Sequence, residues 1–304
     1  LEIELLSANT WTVNDAYATS LQKGRVFIMG DAAHRHPPSN GLGSNTSIQD
    51  SFNLAWKLTA VLKGQAGQAL LDTYSDERAP IAKQIVTRAN QSIGEFGPIF
   101  QALGMTGGTD IELIKKNMDA RCDAGPDAEA QRAALRDAIE FKKYEFDAHG
   151  VEMNQRYRST AVVTDGQMEP AFDLDAELHF QPTTWPGARL PHTWIFRESN
   201  GDKVSTLDLC GHGQFTLFTG IGGEAWREAA TQVGADFGMA INVHVIGPRQ
   251  EYVDHVGDWA RANEVSDTGC ILVRPDHHVA WRADELSEDP KSELARVMNT
   301  ILAR

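Results

Sequence analysis

The chain has 304 residues, 41% hydrophobic and 23% charged, enough to bury one large or two ordinary cores. A formal net charge of −14 argues against a nucleic-acid surface, which needs clustered Lys and Arg. Cys122, Cys210 and Cys270 are scattered and include no CxxC pair, so the expectation is a reducing, cytoplasmic setting without disulfide framework or zinc knuckle. No apolar run approaches the ~20 residues that cross a bilayer, so no membrane partner is expected.

In chain order, Leu1–Val13 alternates like a strand, with Ile3, Leu5 and Trp11 on one face. The chain starts at Leu1 inside that segment, without Met, and the expectation is a portion of something longer. Val26–Met29 is a short apolar run ending at Gly30-Asp31, which suits a strand buried on both faces of an α/β sheet. A loop rich in Pro, Gly, Ser and His follows over 32–44. From Asn45 or Thr46 a helix is predicted, its stripe Ile48, Phe52, Ala55, Leu58, Thr59 and Leu62, with Gly64 at its end. A second helix is predicted over Gln68–Ile93, with Leu70, Leu71, Tyr74, Ile81, Ile85 and Val86 inward and Pro80 as a break or kink.

Gly94–Thr109 reads as a Gly-rich break. Asp110–Cys122 and Asp127–Asp147 read as polar helices, a solvated face or a second-subunit contact, and His149–Val163 as extended. Composition shifts around Pro182–Pro191, where a domain boundary is expected. Beyond it, strands are predicted at Thr193–Phe196, Phe215–Thr219, Ile241–Ile246 and Cys270–Val273, with helices at Glu224–Phe237 and Pro290–Leu302. The organisation expected is 1–95, a helical connection over 96–184, and a smaller α/β domain over 185–304.

Chemistry concentrates in Gly30–Lys57, GDAAHRHPPSNGLGSNTSIQDSFNLAWK. A strand delivers the Asp31 carboxylate to a sheet's carboxyl edge, where open α/β folds bind ligands. Gly41-Leu42-Gly43-Ser44-Asn45 then leads into a helix. Glycines allow close backbone approach, and the first N–H groups of a helix lack internal partners and favour an electron-rich ligand. Each feature alone also fits an ordinary turn; their order together is what carries weight.

That segment resembles the second flavin-binding motif of the class A flavoprotein aromatic hydroxylases, the family of para-hydroxybenzoate hydroxylase and phenol hydroxylase. TWTVNDAYA, LLDTYSDERAPIAKQIVTRAN, HGVEMNQRY, PGARLPHTW, STLDLCGHGQF and RPDHHVAWRA extend the resemblance, towards the family's chlorophenol-hydroxylating members, along nearly the whole chain. The resemblance implies an α/β fold: the C-terminal part of an FAD-binding, para-hydroxybenzoate hydroxylase-like domain, then a thioredoxin-like α/β domain without CxxC. It implies FAD as cofactor, with Asp31 on the ribitol, Pro38 beside the flavin ring, and Gly41, Gly43, Ser44 and Asn45 as the turn whose N–H groups face the ring's pyrimidine end.

It further implies NADPH as electron donor, O2 and a (chloro)phenol as substrates, ortho hydroxylation to a catechol, and a homodimer. Resorcinol or a hydroxyphenylpropionate is the alternative substrate within the class. A non-catalytic dimerisation or binding module is the alternative outside it. The family's Gly-x-Gly-x-x-Gly motif for the ADP part of FAD is absent from this sequence, so the isolated chain is expected to be inactive, and no catalytic residue can be named. His34-x-His36 is a weak metal pair and no metal site is expected. Cys210 with His212 reads as a small core residue more than a nucleophile. His277-His278 reads as an exposed turn. Trp185, Trp194, Trp226, Trp259 and Trp281 read as packing residues.

Overall fold

The computed structural model describes residues 4–106 and 108–304. Residues 4–15 carry no strand, and Leu5, Leu6, Trp11 and Val13 are exposed. The strand predicted over Leu1–Val13 is therefore corrected for its described part. Ile3 lies outside the described residues. Alternation stabilises a strand only when a partner ladder and a covered face exist, and residues 4–15 have neither.

The first elements are two short ladders. β1 (Ala16–Tyr17) pairs antiparallel with β4 (His34–Arg35), and β2 (Gln22–Lys23) with β3 (Val26–Phe27). Val26 is 65% exposed, so the doubly buried strand expected at Val26–Met29 is also corrected. It is a two-residue hairpin arm without a covering layer on its outer face. Its end is nonetheless fixed: Tyr74 Oη donates to the Ile28 carbonyl at 3.0 Å, and a 3-10 turn at Gly30–Ala32 follows.

α1 (Leu42–Leu62) begins earlier than predicted and ends as predicted, before Gly64. Its buried face differs from the apolar stripe. Leu42, Thr46, Asp50, Asn53, Leu54, Trp56, Lys57 and Ala60 point inward, whereas Ile48, Phe52 and Leu62 are exposed. α2 (Asp72–Gly94) follows a 3-10 turn and buries the predicted Tyr74, Ile81, Ile85 and Val86. It runs through Pro80 unbroken. Pro80 and Asp76, four residues earlier, are both exposed, so the carbonyl that loses its bond meets water.

α3 (Gly97–Ala102), α4 (Ile111–Ala120), α5 (Pro126–Phe141) and α6 (Lys143–Phe146) form the helical connection. Asp110 caps α4 by accepting from the Glu112 and Leu113 N–H groups, and Pro126 opens α5. α7 (His149–Met153) corrects the extended reading at the start of His149–Val163.

The rest of the chain holds β5 (Trp194–Arg197), β6 (Lys203–Ser205), β7 (Phe215–Thr219), α8 (Glu224–Phe237), β8 (Ile241–Val245), β9 (Tyr252–Val253), α9 (Asp258–Ala262), β10 (Cys270–Val273), β11 (Val279–Ala283) and α10 (Pro290–Ile301). The sheet order is β11-β10-β7-β8; β7 and β8 are parallel across α8, and the other pairs are antiparallel. Both faces are covered. Phe215, Leu217, Cys270 and Leu272 face α8 and α10, while Phe218, Ile271 and Val273 face the layer holding Ile195, Tyr252 and Trp259. Alternation within continuously apolar strands produces the two cores.

This module packs directly on α1. Trp56 meets Phe215 edge-on at 5.7 Å in a core shared with Ala60 and Leu70. The Gly67 N–H donates to the Leu302 carbonyl at 2.7 Å, and a Cβ at Gly67 would lie 2.0 Å from the Ala303 carbonyl oxygen. Only glycine allows that approach. Among the described residues no helix is long and apolar enough to cross a membrane.

Candidate functional site

The GD turn, the Pro-Pro loop and the start of α1 converge on one groove. It has a volume of about 390 Å3, and Asp31, His36, Pro38, Gly41, Gly43 and Ser44 are among its lining residues. That volume falls within the roughly 300–1,000 Å3 of small-molecule sites. Five of the six residues singled out from the sequence line it. The sixth, Asn45, turns its side chain back onto the Gly41 carbonyl at 3.1 Å, leaving its backbone among the first four of the helix.

Local rules explain the cradle. Gly41 adopts φ +64 as the residue before α1, and no side chain caps the helix. The N–H groups of Leu42 to Ser44 thus lack i−4 carbonyls and a side-chain cap, at the positive end of the helix dipole. Gly43 has no side chain to screen them; a Cβ there would already touch the His36 ring at 3.7 Å. Asn40 sits at φ 64 and donates to the Tyr144 carbonyl at 2.6 Å, tying the loop to α6. Asp31 is exposed and lines the same groove.

The donor set suits an elongated ligand with hydroxyls and an electron-rich end. Asp31 can accept from hydroxyls, and the helix N–H groups can donate to carbonyl oxygens or a delocalised anion.

Behind the groove lies a buried polar system that sequence reasoning missed. Asp50, 1% exposed, accepts from the Gly30 N–H at 3.2 Å and from Arg78 Nε at 2.7 Å, and its other bond joins His34 Nε2 at 2.9 Å. Burial by itself would raise its pKa, but His34, Arg78 and the Gly30 N–H more than offset this and hold it below the ordinary value. Arg78 continues to Tyr157 Oη at 3.0 Å. Asp50 thereby clamps both ends of the motif, the GD turn and α1. His34 lines the groove while bound to Asp50, and His36 bonds the Pro37 carbonyl at 2.7 Å. Those two bonds give the His34-x-His36 pair a structural account.

A second set joins α1 and α2 to the C-terminal module. Glu77 accepts from Asn53, Lys57, Ser159 and both terminal nitrogens of Arg274, at 2.6–2.8 Å. Arg274 also holds Asp276 at 2.6 Å. Burial opposes ionisation of Glu77, yet Arg274 and Lys57 hold its pKa well below the usual range. Burial lowers Lys57 to about 8, with Arg274 competing for the same carboxylate. His278 is buried and stacked on Tyr157 at 4.0 Å, which corrects the exposed reading of the His277-His278 turn; burial lowers it to about 4. Cys210 is buried, bonds the Thr206 carbonyl and has its pKa raised by burial, so it behaves as a core residue.

Comparison with known proteins bears on this geometry. The family described as FAD binding domain matches residues 1–89, and the family described as aromatic-ring hydroxylase, C-terminal, matches residues 183–304. The chain is 57% identical over its whole length to a 2,4-dichlorophenol 6-monooxygenase of Cupriavidus pinatubonensis, covering 50% of that protein. It is 52% identical to a phenol 2-monooxygenase of a Pseudomonas species, over 98% of this chain and 49% of that one. Among solved structures, the flavin-dependent monooxygenase PieE in complex with FAD and substrate matches with a TM-score of 0.90 and 47% identity, over 96% of this chain and 50% of PieE. The chain spans about half the length of the curated relatives it matches.

Proposed function

Starting from a chain that belongs with the flavoprotein aromatic hydroxylases, we propose that it supplies the flavin-ring and ribitol side of the cofactor site in an NADPH-dependent hydroxylase of a (chloro)phenol. The carrying observation is the groove in which Asp31, Pro38 and the uncapped start of α1 come together. In this reading Asp31 takes the ribitol hydroxyls and Pro38 borders the ring. The N–H groups of Gly43, Ser44 and Asn45 meet its pyrimidine end, with Gly41 keeping the backbone bare. Bound FAD supplies the oxygen chemistry. The chain's own residues orient it and place positive dipole where negative charge accumulates.

Substrates are a phenol and O2, and the product is a catechol; the names of the relatives support the phenol. The three-part division at 1–95, 96–184 and 185–304 goes with this reading. The β11-β10-β7-β8 order supports a thioredoxin-like C-terminal domain, without a CxxC pair. Exposed Ile111, Leu113, Ile139, Phe141 and Phe146 on the connecting helices support a homodimer. Unpaired Cys122, Cys210 and Cys270 support a cytoplasmic location.

The test is a chimera in which the part of the Cupriavidus relative lying outside the match is joined to this chain. It is expected to bind FAD and to oxidise NADPH faster when 2,4-dichlorophenol is present. Asp31→Ala should lower its flavin occupancy. Full occupancy after that change sinks the role given to Asp31. The 304 residues alone are expected not to turn over NADPH.

A further inference from the structure

The turn that leads from Pro38 into α1 is held by an anchor far away in sequence. Asn40 and Gly41 both take φ +64, so two left-handed residues in succession reverse the chain just ahead of the open N–H groups of α1. That conformation is unfavourable for an L-residue, and Asn is one of the few side chains that tolerate it. The backbone bond inside the turn, from the Gly41 N–H to the Pro38 carbonyl at 3.1 Å, closes it without tying it to the rest of the protein.

The tie is the Asn40 carboxamide. Its Nδ2 donates to the Tyr144 carbonyl at 2.6 Å and to the Glu145 carbonyl at 3.3 Å. Both carbonyls belong to α6, a four-residue helix whose last C=O groups have no partner within it. The amide has one workable orientation, because turning it round would set Oδ1 against two carbonyl oxygens. In the orientation adopted, Oδ1 is buried without a donor among the described residues. That arrangement costs free energy, and the two donated bonds offset it.

The anchor is itself fixed. Lys142, 3% exposed, donates from Nζ to the Ser92 carbonyl at 2.7 Å and pairs with Glu145. Tyr144 Oη donates to Asp175 at 2.7 Å. α6 is thereby pinned to the far end of α2, and the carbonyls offered to Asn40 are pinned with it.

We infer that Asn40 is a positioning residue for the cofactor: through its amide, the connecting helices set the place of Pro38, Gly41 and the N–H groups of Leu42 to Ser44. The inference rests on the flavin reading of the groove. Asn40 acts through its neighbours, and the position demands a donor. Asp would place acceptors against acceptors.

Two variants separate the amide from the backbone. Asn40→Gly keeps the left-handed turn accessible and removes both donated bonds, while Asn40→Asp keeps the shape and replaces attraction by repulsion. In NMR hydrogen exchange of the 304-residue chain, the Gly41 N–H should exchange at least tenfold faster in either variant, with the amides of α2 unchanged. In the chimera with the Cupriavidus part, FAD alone should bind at least tenfold more weakly to both variants. At saturating FAD the fluorescence anisotropy of the bound flavin should fall, because its ring is less confined; a general loss of stability would leave that signal unmoved. Unchanged Gly41 exchange, or unchanged FAD affinity and anisotropy, would overturn the inference. If Asn40→Asp does not fold, Asn40→Gly, which relieves the backbone, decides by the same readings. A chimera that binds no FAD with Asn40 intact sinks the flavin reading and this inference with it, whereas equal binding by the variants sinks this inference alone.

Discussion

The groove and the buried polar system behind it share helix α1, yet they follow opposite rules. In the groove, donors are left open: α1 starts without a side-chain cap and Asp31 stands in water. Behind it, carboxylates are saturated: Glu77 alone receives hydrogen bonds from Asn53, Lys57, Ser159 and Arg274. Open donors at a surface cost little because water satisfies them, and they remain available to a ligand. Buried charges must be fully partnered, since each ion removed from water costs several kcal/mol. Affinity for a ligand and integrity of the fold are thus separable here, and substitutions should separate them.

The largest effect is expected at Glu77. Glu77→Gln keeps the shape but leaves Lys57 and Arg274 facing a neutral group, and should cost about 3–5 kcal/mol, read from urea midpoints. A loss under 1 kcal/mol would mean the network is dispensable. Asp50→Asn follows, at about 1.5–3 kcal/mol, the scale of hydrogen bonds to a charged group. Because Asp50 also holds the Gly30 N–H, this change should weaken flavin binding in the chimera as well as stability, which no change at Glu77 tests.

Acid should attack the buried side first. Folding lowers the pKa of His278 to about 4, so between about pH 6.5 and 4 the unfolded chain binds more protons and stability falls as pH falls. Glu77, Asp50 and Asp276, all held below their ordinary values, extend the loss below about pH 4.5. Lys57, lowered to about 8, has the same sign on the alkaline side: stability contributed by this residue rises between pH 8 and its unfolded value of about 10.4. Thermal midpoints against pH in wild type and His278→Gln check the first window, which the variant should flatten.

Smaller effects fall on the groove. Gly41→Ala forces a side chain into φ +64 and should cost about 1–2 kcal/mol, with no clash because the space around it is open. Smallest is Asp31→Ala, within about 0.5 kcal/mol in stability while flavin occupancy of the chimera drops. A large stability change at Asp31 would erase the distinction between the two regions.

Most of the C-terminal module was legible in the sequence. Phe215–Thr219 and Glu224–Phe237 carry their signals locally, as continuous apolar strands and a helix ended by Gly238 in the left-handed conformation. The short strands Lys203–Ser205 and Tyr252–Val253 escaped because two or three residues hold no periodicity. On α1 the apolar stripe pointed the wrong way. Its inward face is polar because it meets Glu77, Arg78 and Asp276, which lie 20 to 223 residues away from their α1 partners. His278 failed for the same reason: the turn looked exposed until Tyr157 covered it.

The sequence by itself determined the Gly30–Lys57 motif and most of its groove, since a Gly-Asp turn, a Pro-Pro loop, glycines and a helix start are contiguous and act through local backbone geometry. Only the tertiary structure decided that Asp50, rather than Asp31, is the carboxylate that holds the motif together. It also decided that Glu77 and Arg274 bind the two parts of the chain. Whether a carboxylate is a solvated acceptor or a buried anchor depends on which cations the fold brings within hydrogen-bond reach, and no local pattern encodes that.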